Sequence, residues 1–267
     1  MQKKEIELKG NTDKKVGDDA NMLWGINPVK EFCLEKPGEI VEIYVQKGKA
    51  NPKLQEIIDL ARGNGIRLRF VEMERIGLPL GCRHQGIAAK RGETVFYELE
   101  ELLSHVDEVT PEGEFSRILV LDCLQDPHNL GAILRSALAA GFAHVIVTRE
   151  RSAPFSGTVA KVSAGALAHL RISRVINLAE TLKTLKKRGY WVFGAVAEQN
   201  GVSIYQADFS IPLCLIIGGE GSGIRPLVQK QCDHLITIPM IGNFNSLNAS
   251  AAAAVIMFEV RRRQLSA

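Results

Sequence analysis

A chain of 267 residues, 46% hydrophobic and 24% charged, can bury a real core as one large domain or two of ordinary size, and this excludes the disordered and fibrous classes. The net charge of +3 permits a polyanionic partner without demanding one. Five scattered cysteines (Cys33, Cys82, Cys123, Cys214 and Cys232) with no C-x-x-C pair argue against a disulfide framework or a metal site, and for the reduced thiols of a cytoplasmic protein.

Residues 1–21 are polar, with Lys3, Lys4, Lys9, Lys14 and Lys15 offset by Glu5, Glu7, Asp13, Asp18 and Asp19, and read as a flexible tail. Nothing later reaches 18 uninterrupted apolar residues, so no membrane-spanning helix is expected. Residues 22–92 alternate strand and helix candidates: EIYVQ at 42–46, PKLQEIIDLARG at 52–63, IRLRFV at 66–71 and GIAAK at 86–90. They predict a small α/β domain. Residues 93–115 turn acidic and form a connector, in which YELEELLSH suits a short amphipathic helix.

From 116 to 267 the texture changes. RILVLD (117–122), HVIVT (144–148), YWVFGAV (190–196) and PLCLIIGG (212–219) are nearly continuous apolar runs separated mostly by helical stretches. Strands covered on both faces look like this, so the fold class is α/β with a parallel sheet. SLNASAAAAVIMFEVRRRQ (246–264) closes the chain as a helix, with Ser246 as its expected cap and three arginines at its negative end.

Ligands of such sheets bind beyond the carboxyl ends of the strands, and three of these ends are unusually polar. In DPHNLGAILRSA (126–137), Asp126 and Pro127 turn the chain, Asn129 is a candidate cap, and Arg135 stands among apolar neighbours. A guanidinium there either snorkels outward, joins a salt bridge or binds an anion. In LIIGGEGSGIRPL (215–227), four glycines surround Glu220 and Ser222. Such a loop approaches a ligand closely, yet it lacks the third glycine of G-x-G-x-x-G and is no G-x-x-x-x-G-K-[ST] loop. In TIPMIGNFNSLNASAAAA (237–254), a strand ends at Pro239, and Asn248 falls inside the expected first helical turn, where asparagine is a mediocre helix former.

Together these three motifs, in this order, resemble those of the SpoU class of RNA ribose 2'-O-methyltransferases, within the SPOUT superfamily. The resemblance covers residues 22–267. LWGINPVKEF and HQGIAA in the front part are similar to the small RNA-recognition domain, itself like ribosomal protein L30e, of members that methylate a guanosine of bacterial 23S rRNA. The resemblance implies a C-terminal trefoil knot, an exception to the rule that chains avoid knots. It further implies S-adenosylmethionine as cofactor, RNA as substrate and a homodimer with sites near the subunit interface, while the lack of metal-ligand patterns leads to the expectation of no metal. Carried over by position, Asn129, Arg135, Glu220, Ser246 and Asn248 form the catalytic and RNA-contacting set. Ala195, Gly218, Gly219, Ile238, Met240, Gly242 and Leu247 line the cofactor. Asn245 departs from the acidic residue or serine that many members carry before Ser246.

Arginine normally stays protonated, so Arg135 is expected to hold a phosphate or orient the hydroxyl, with Glu220 or water taking the proton. Lys47, Lys49, Arg67, Arg69, KTLKKR (183–188) and RRR (261–263) supply cations in patches, each a solvated surface or a nucleic-acid contact. The rival readings are a dinucleotide-dependent oxidoreductase, a non-catalytic RNA-binding protein, and the same methyl transfer on a tRNA guanosine or another rRNA nucleotide.

Overall fold

The computed structural model describes residues 21–48, 51–197, 201–221, 223–241 and 247–266. Its front part is built from β1 (Met22–Trp24), α1 (Ile26–Glu35), β2 (Ile40–Gln46), α2 (Pro52–Gly63), β3 (Arg67–Val71) and β4 (Ile87–Arg91). The strands form one sheet in the order β1-β4-β2-β3, in which only β2 and β3 run parallel. Helix α2 starts where the sequence places it: Asn51 accepts a hydrogen bond from the Lys53 N–H, and Pro52 occupies the first turn, where its missing N–H costs nothing.

The second part contains β5 (Arg117–Asp122), α4 (Pro127–Ala139), β6 (His144–Thr148), α5 (Gly157–Val162), α6 (Ala166–His169), β7 (Arg171–Val175), α7 (Leu178–Lys187), β8 (Trp191–Ala195), β9 (Val202–Ser203), β10 (Leu213–Gly218), α8 (Pro226–Gln229), β11 (His234–Thr237) and α9 (Ala249–Leu265), preceded by α3 (Leu99–Val109) in the connector. Its seven strands are ordered β7-β6-β5-β10-β8-β11-β9, and every pairing is parallel.

Alternation along the central strands divides the core. Leu119, Leu121, Val145, Val147, Leu215 and Ile217 face α4 and α9, joining Ile133, Leu134, Ala137, Ile256 and Val260. Ile118, Val120, Ile146, Cys214 and Ile216 point the other way, towards Leu102 and Val106 of α3 and Leu182 and Leu185 of α7. Burial on both faces is why these strands lack polar alternation. The first of these layers continues into Val29 and Phe32 of α1 and Ile43 of β2, so the two parts share one apolar core. Arg91 is buried between them, its guanidinium donating to the carbonyl of Phe155 at 2.9 Å.

Strand β7 and helix α1 are absent from the sequence expectations, and β11 ends at Thr237 rather than Pro239. No helix among the described residues is long and apolar enough to cross a membrane.

Candidate functional site at the carboxyl ends of the parallel strands

Strands β8, β10 and β11 are neighbours, and their carboxyl ends open into a cleft of about 640 Å3. Gly218 and Gly219 of the glycine-rich loop, Ala195, Ile238, Met240 and Leu247 line it, together with Glu220, Asn248 and Ile256. Six of the seven positions expected at the cofactor thus share one cavity; the seventh, Gly242, lies outside the described residues, as do Ser246 and Asn245.

The glycine-rich loop is closed on itself. The Gly223 N–H donates to the Gly219 carbonyl at 3.0 Å, and Gly223 takes a left-handed φ of +59° that favours glycine. A Cβ on Gly218 would sit 2.1 Å from the Gly223 carbonyl carbon, so the chain crosses itself where only glycine fits. A Cβ on Gly219 would meet the Cys123 carbonyl oxygen at 2.5 Å, which ties the loop to the end of β5.

Asp122 and Arg225 lock that junction. The Asp122 carboxylate is fully buried and accepts from the Arg225 backbone N–H at 2.9 Å and from its Nε at 2.8 Å, with a second guanidinium nitrogen at 2.8 Å. Sequence reasoning missed this pair. The available signal was an acid terminating an otherwise apolar strand, a position where an unpaired carboxylate is costly.

Above the loop, Asn129 donates from Nδ2 to Glu220 Oε1 and accepts from Asn248 Nδ2 at 3.0 Å. Three residues from the three sequence motifs therefore meet in one hydrogen-bonded row. Their local roles differ from expectation in two respects. Asp126, not Asn129, caps α4, accepting from the His128 N–H at 2.9 Å; Asn129 sits inside the first turn and is freed to reach Glu220 and Asn248. Asn248, in turn, is itself the cap of α9, its Oδ1 accepting from the N–H groups of Ser250 at 2.9 Å and Ala251 at 3.4 Å. The helix starts two residues later than the motif suggests, which removes the problem of an asparagine within its first turn.

Arg135 is not brought into this row. It is exposed on α4, does not line the cleft, and its side chain has no hydrogen bond or ion pair among the described residues. Several other candidate cations are already neutralised: Lys183 by Glu180 at 2.8 Å, Lys186 by Asp233 at 2.8 Å, Arg188 by Glu100 and by Asp107 at 3.3 Å, and Arg262 and Arg263 by Glu259 at 2.7 and 3.0 Å. Arg69 reaches Glu42 at 3.6 Å, and Lys49 lies outside the described residues. No group of His, Cys, Asp and Glu suited to a metal occurs among the described residues.

Chemically, the site offers a cleft with backbone polar groups and apolar walls, one carboxylate at its lip, and an asparagine row that fixes that carboxylate. A family model described as the SpoU rRNA Methylase family matches residues 116–258, and one described as RNA 2'-O ribose methyltransferase substrate binding matches residues 22–91. The 23S rRNA (guanosine-2'-O-)-methyltransferase RlmB of Vibrio parahaemolyticus is 39% identical over 246 residues, spanning 92% of this chain and 98% of that protein. Its counterpart in Xanthomonas campestris is 39% identical, spanning 91% and 96%. Among solved structures, the SpoU methyltransferase AviRb from Streptomyces viridochromogenes in complex with AdoMet superposes with a TM-score of 0.76 at 22% identity, covering 97% of this chain and 96% of that one. The AdoMet-bound rRNA methyltransferase from Sinorhizobium meliloti gives 0.72 at 24% identity, covering 91% and 87%.

Proposed function

The chain belongs to the SpoU rRNA methylase family, and from that premise we propose that it transfers a methyl group from S-adenosylmethionine to the ribose 2'-hydroxyl of a guanosine in 23S rRNA. The observation that carries the reading is the hydrogen-bonded row Glu220, Asn129, Asn248 on the lip of the glycine-walled cleft. The relatives named for a 23S guanosine favour that substrate over a tRNA guanosine or another rRNA nucleotide. A dinucleotide oxidoreductase finds no support in a loop that places Ile224 or Pro226 where the third glycine would stand.

The residues present suit S-adenosylmethionine. Gly218 and Gly219 bring backbone groups to the wall of the cleft, while Ile238, Leu247 and Ile256 give an apolar surface for a flat purine, with Ala195 and Met240 beside them. When bound, that cofactor supplies an electrophilic methyl carbon on a positively charged sulfur. The protein's own contribution is to align the acceptor oxygen and receive its proton. Asn129 holds Glu220, a residue of the cleft wall, through Oε1 and leaves Oε2 for the hydroxyl proton or for a water that relays it. Asn248 fixes the rotamer of Asn129 from the opposite side. Ser246 and Gly242 join the set through their place in the third motif. Arg135, solvent-facing and unpaired among the described residues, holds an RNA phosphate or orients the ribose.

Three further features accompany this reading. A trefoil knot in the C-terminal part is supported by β10 entering between β5 and β8 and by α9 then packing on α4. The front sheet acts as an RNA-binding domain similar to ribosomal protein L30e, with domains at 22–92 and 116–267 around the connector. The enzyme works in the cytoplasm as a homodimer, in which a second copy brings its surface against the cleft.

The test is transfer of labelled methyl from S-adenosylmethionine to unmodified 23S rRNA, with tRNA in parallel, followed by mapping of the alkali-resistant ribose. Label at one 23S guanosine supports the reading. Label on tRNA alone transfers the activity to the alternative substrate, and absence of cofactor binding removes the enzyme reading altogether.

A further inference from the structure

Beyond the cleft, the carboxyl ends of β5, β6 and β7 are crossed by the loop at residues 149–153. Three hydrogen bonds pin it there. The Arg149 N–H donates to the Val175 carbonyl at the end of β7 at 2.8 Å, the Ala153 N–H donates to the Leu124 carbonyl beyond β5 at 2.7 Å, and Thr148 and Ser152 join hydroxyl to hydroxyl at 2.8 Å. The loop therefore bridges from the outer edge of the sheet to the segment that leads into Asn129.

This bridge carries exposed arginines. Arg149 and Arg151 project from it, and Arg174 lies on β7 one residue before Val175, its guanidinium 3.9 Å from the centroid of the Phe96 ring. None of the three has a carboxylate within ion-pair distance among the described residues, in contrast to the paired cations of α7 and α9. The single acid in the loop, Glu150, is exposed and makes no ion pair among the described residues either. Arg151 adopts a φ of +59°, a left-handed conformation that a residue with a side chain rarely takes.

Their charges are close enough to be felt. Burial, followed by the charge of Arg149, holds the Arg174 guanidinium below its ordinary range. At the inner end, burial and Asp122 push the Cys123 thiol up, while Arg225 and Arg151 pull against that shift. Like charges gathered on the bridge and the adjoining strand, none of them ion-paired among the described residues, suit a polyanion with regularly spaced phosphates.

We propose that Arg174, Arg149 and Arg151 form a track for the phosphodiester backbone of RNA, leading from the β7 edge of the sheet to the methyl-transfer cleft. It rests on the reading that RNA is the substrate and adds where the strand runs. The cation over Phe96 fixes the outer end, and the strained loop sets the spacing.

The experiment compares the full-length protein with the triple variant Arg149→Gln, Arg151→Gln, Arg174→Gln, its Lys counterpart, and a control of equal charge change, Lys183→Gln, Lys186→Gln, Arg188→Gln. Filter binding of a 23S rRNA transcript across a salt series is measured beside methyl transfer and S-adenosylmethionine binding. A single strand loses about 0.7 in the slope of log affinity against log salt for each phosphate contact removed. The Gln track variant should thus be shallower by about 2, with at least tenfold weaker RNA binding at low salt and unchanged cofactor binding. The Lys variant and the α7 control should keep the parental slope. Equal slopes for the parent and the Gln track variant overturn the track, as does an equal loss in the α7 control. Lost cofactor binding in the Gln variant also counts against it, because it assigns the arginines to the fold. If the parent binds RNA with the expected slopes yet transfers no methyl group, the reaction fails while the track stands.

Discussion

Asn129 and Asn248, 119 residues apart in sequence, are joined amide to amide at 3.0 Å across the lip of the cleft. One asparagine thereby does two jobs: its oxygen caps α9 and its nitrogen orients Asn129. Asn248→Asp keeps the cap but loses the donor and sets a second negative charge near Glu220. Its expected signature is near-normal stability with methyl transfer reduced about 10- to 100-fold, the range for one lost hydrogen bond of 1–3 kcal/mol. Asn248→Ala should lose the activity and about 1 kcal/mol of stability as well. Turnover at saturating cofactor, set beside urea unfolding, separates the two; an Asp variant with full turnover ends the orienting role.

Asp122 and Arg225 should be unequal partners. Removing Arg225 strands a fully buried carboxylate, whereas removing Asp122 leaves a guanidinium whose side chain is already 35% exposed. Breaking a buried pair costs about 3–5 kcal/mol when the remaining charge stays buried. Arg225→Ala is therefore expected at or near that range, and Asp122→Ala about 1–2 kcal/mol milder because the arginine can swing into water. Chemical denaturation of both variants decides the order, and the reverse order would mean the pair is not desolvated as described.

At Gly218, alanine should abolish cofactor binding, because its methyl collides with backbone that cannot move without opening the loop. A methyl on Gly221 meets open space. Gly221→Ala should therefore unfold at the parental temperature, and calorimetric titration with S-adenosylmethionine compares the two. Intact binding by Gly218→Ala would show that the crossing is looser than described.

His144 gives a pH dependence of stability. Burial first, then the charges of His105 and Arg171, depress its pKa to about 4, and its Nε2 lies 2.8 Å from His105 Nδ1. In the unfolded chain the ring titrates near 6.5. Between those values the unfolded chain carries a proton that the folded one does not, so the unfolding free energy is level above about pH 6.5 and falls as pH drops towards 4. The loss should reach about 3 kcal/mol by pH 4, at about 1.4 kcal/mol for each pKa unit between the two values. His144→Phe should flatten that part of the profile in urea titrations at successive pH values, and parallel profiles for the two proteins would exclude His144 as the source.

For Arg135 the expectation is a functional effect without a structural one. An exposed side chain with no partner among the described residues should contribute within about 0.5 kcal/mol of stability. Arg135→Ala should therefore unfold normally while methyl transfer falls, and Arg135→Lys should recover little if the planar fork is needed to grip phosphate or ribose. Full turnover in the Lys variant would make a geometric guanidinium role untenable.

The central strands were legible because burial on both faces leaves no polar alternation; β5 and β6 coincide with the apolar runs at 117–122 and 144–148. Strand β7 was not, since Arg171 and Arg174 interrupt its five residues at the sheet edge. The asparagines were legible as residues out of place. Their division of labour was not, because capping depends on where the preceding loop releases the chain, which no local pattern fixes. The Asp122–Arg225 lock spans 103 residues and needs the sheet order before it can be seen.

That sheet order, with β10 seated between β5 and β8, has a consequence for synthesis on the ribosome. Until residues 213–218 have emerged, β5 and β8 have no common neighbour to pair with, and neither the glycine-rich loop nor the helix that carries Asn248 exists. Nascent or prematurely terminated chains therefore hold no half-built pocket able to sequester cofactor. They do expose the unpaired edges of both strands, which makes this stretch of translation the interval in which chaperone contact should matter most.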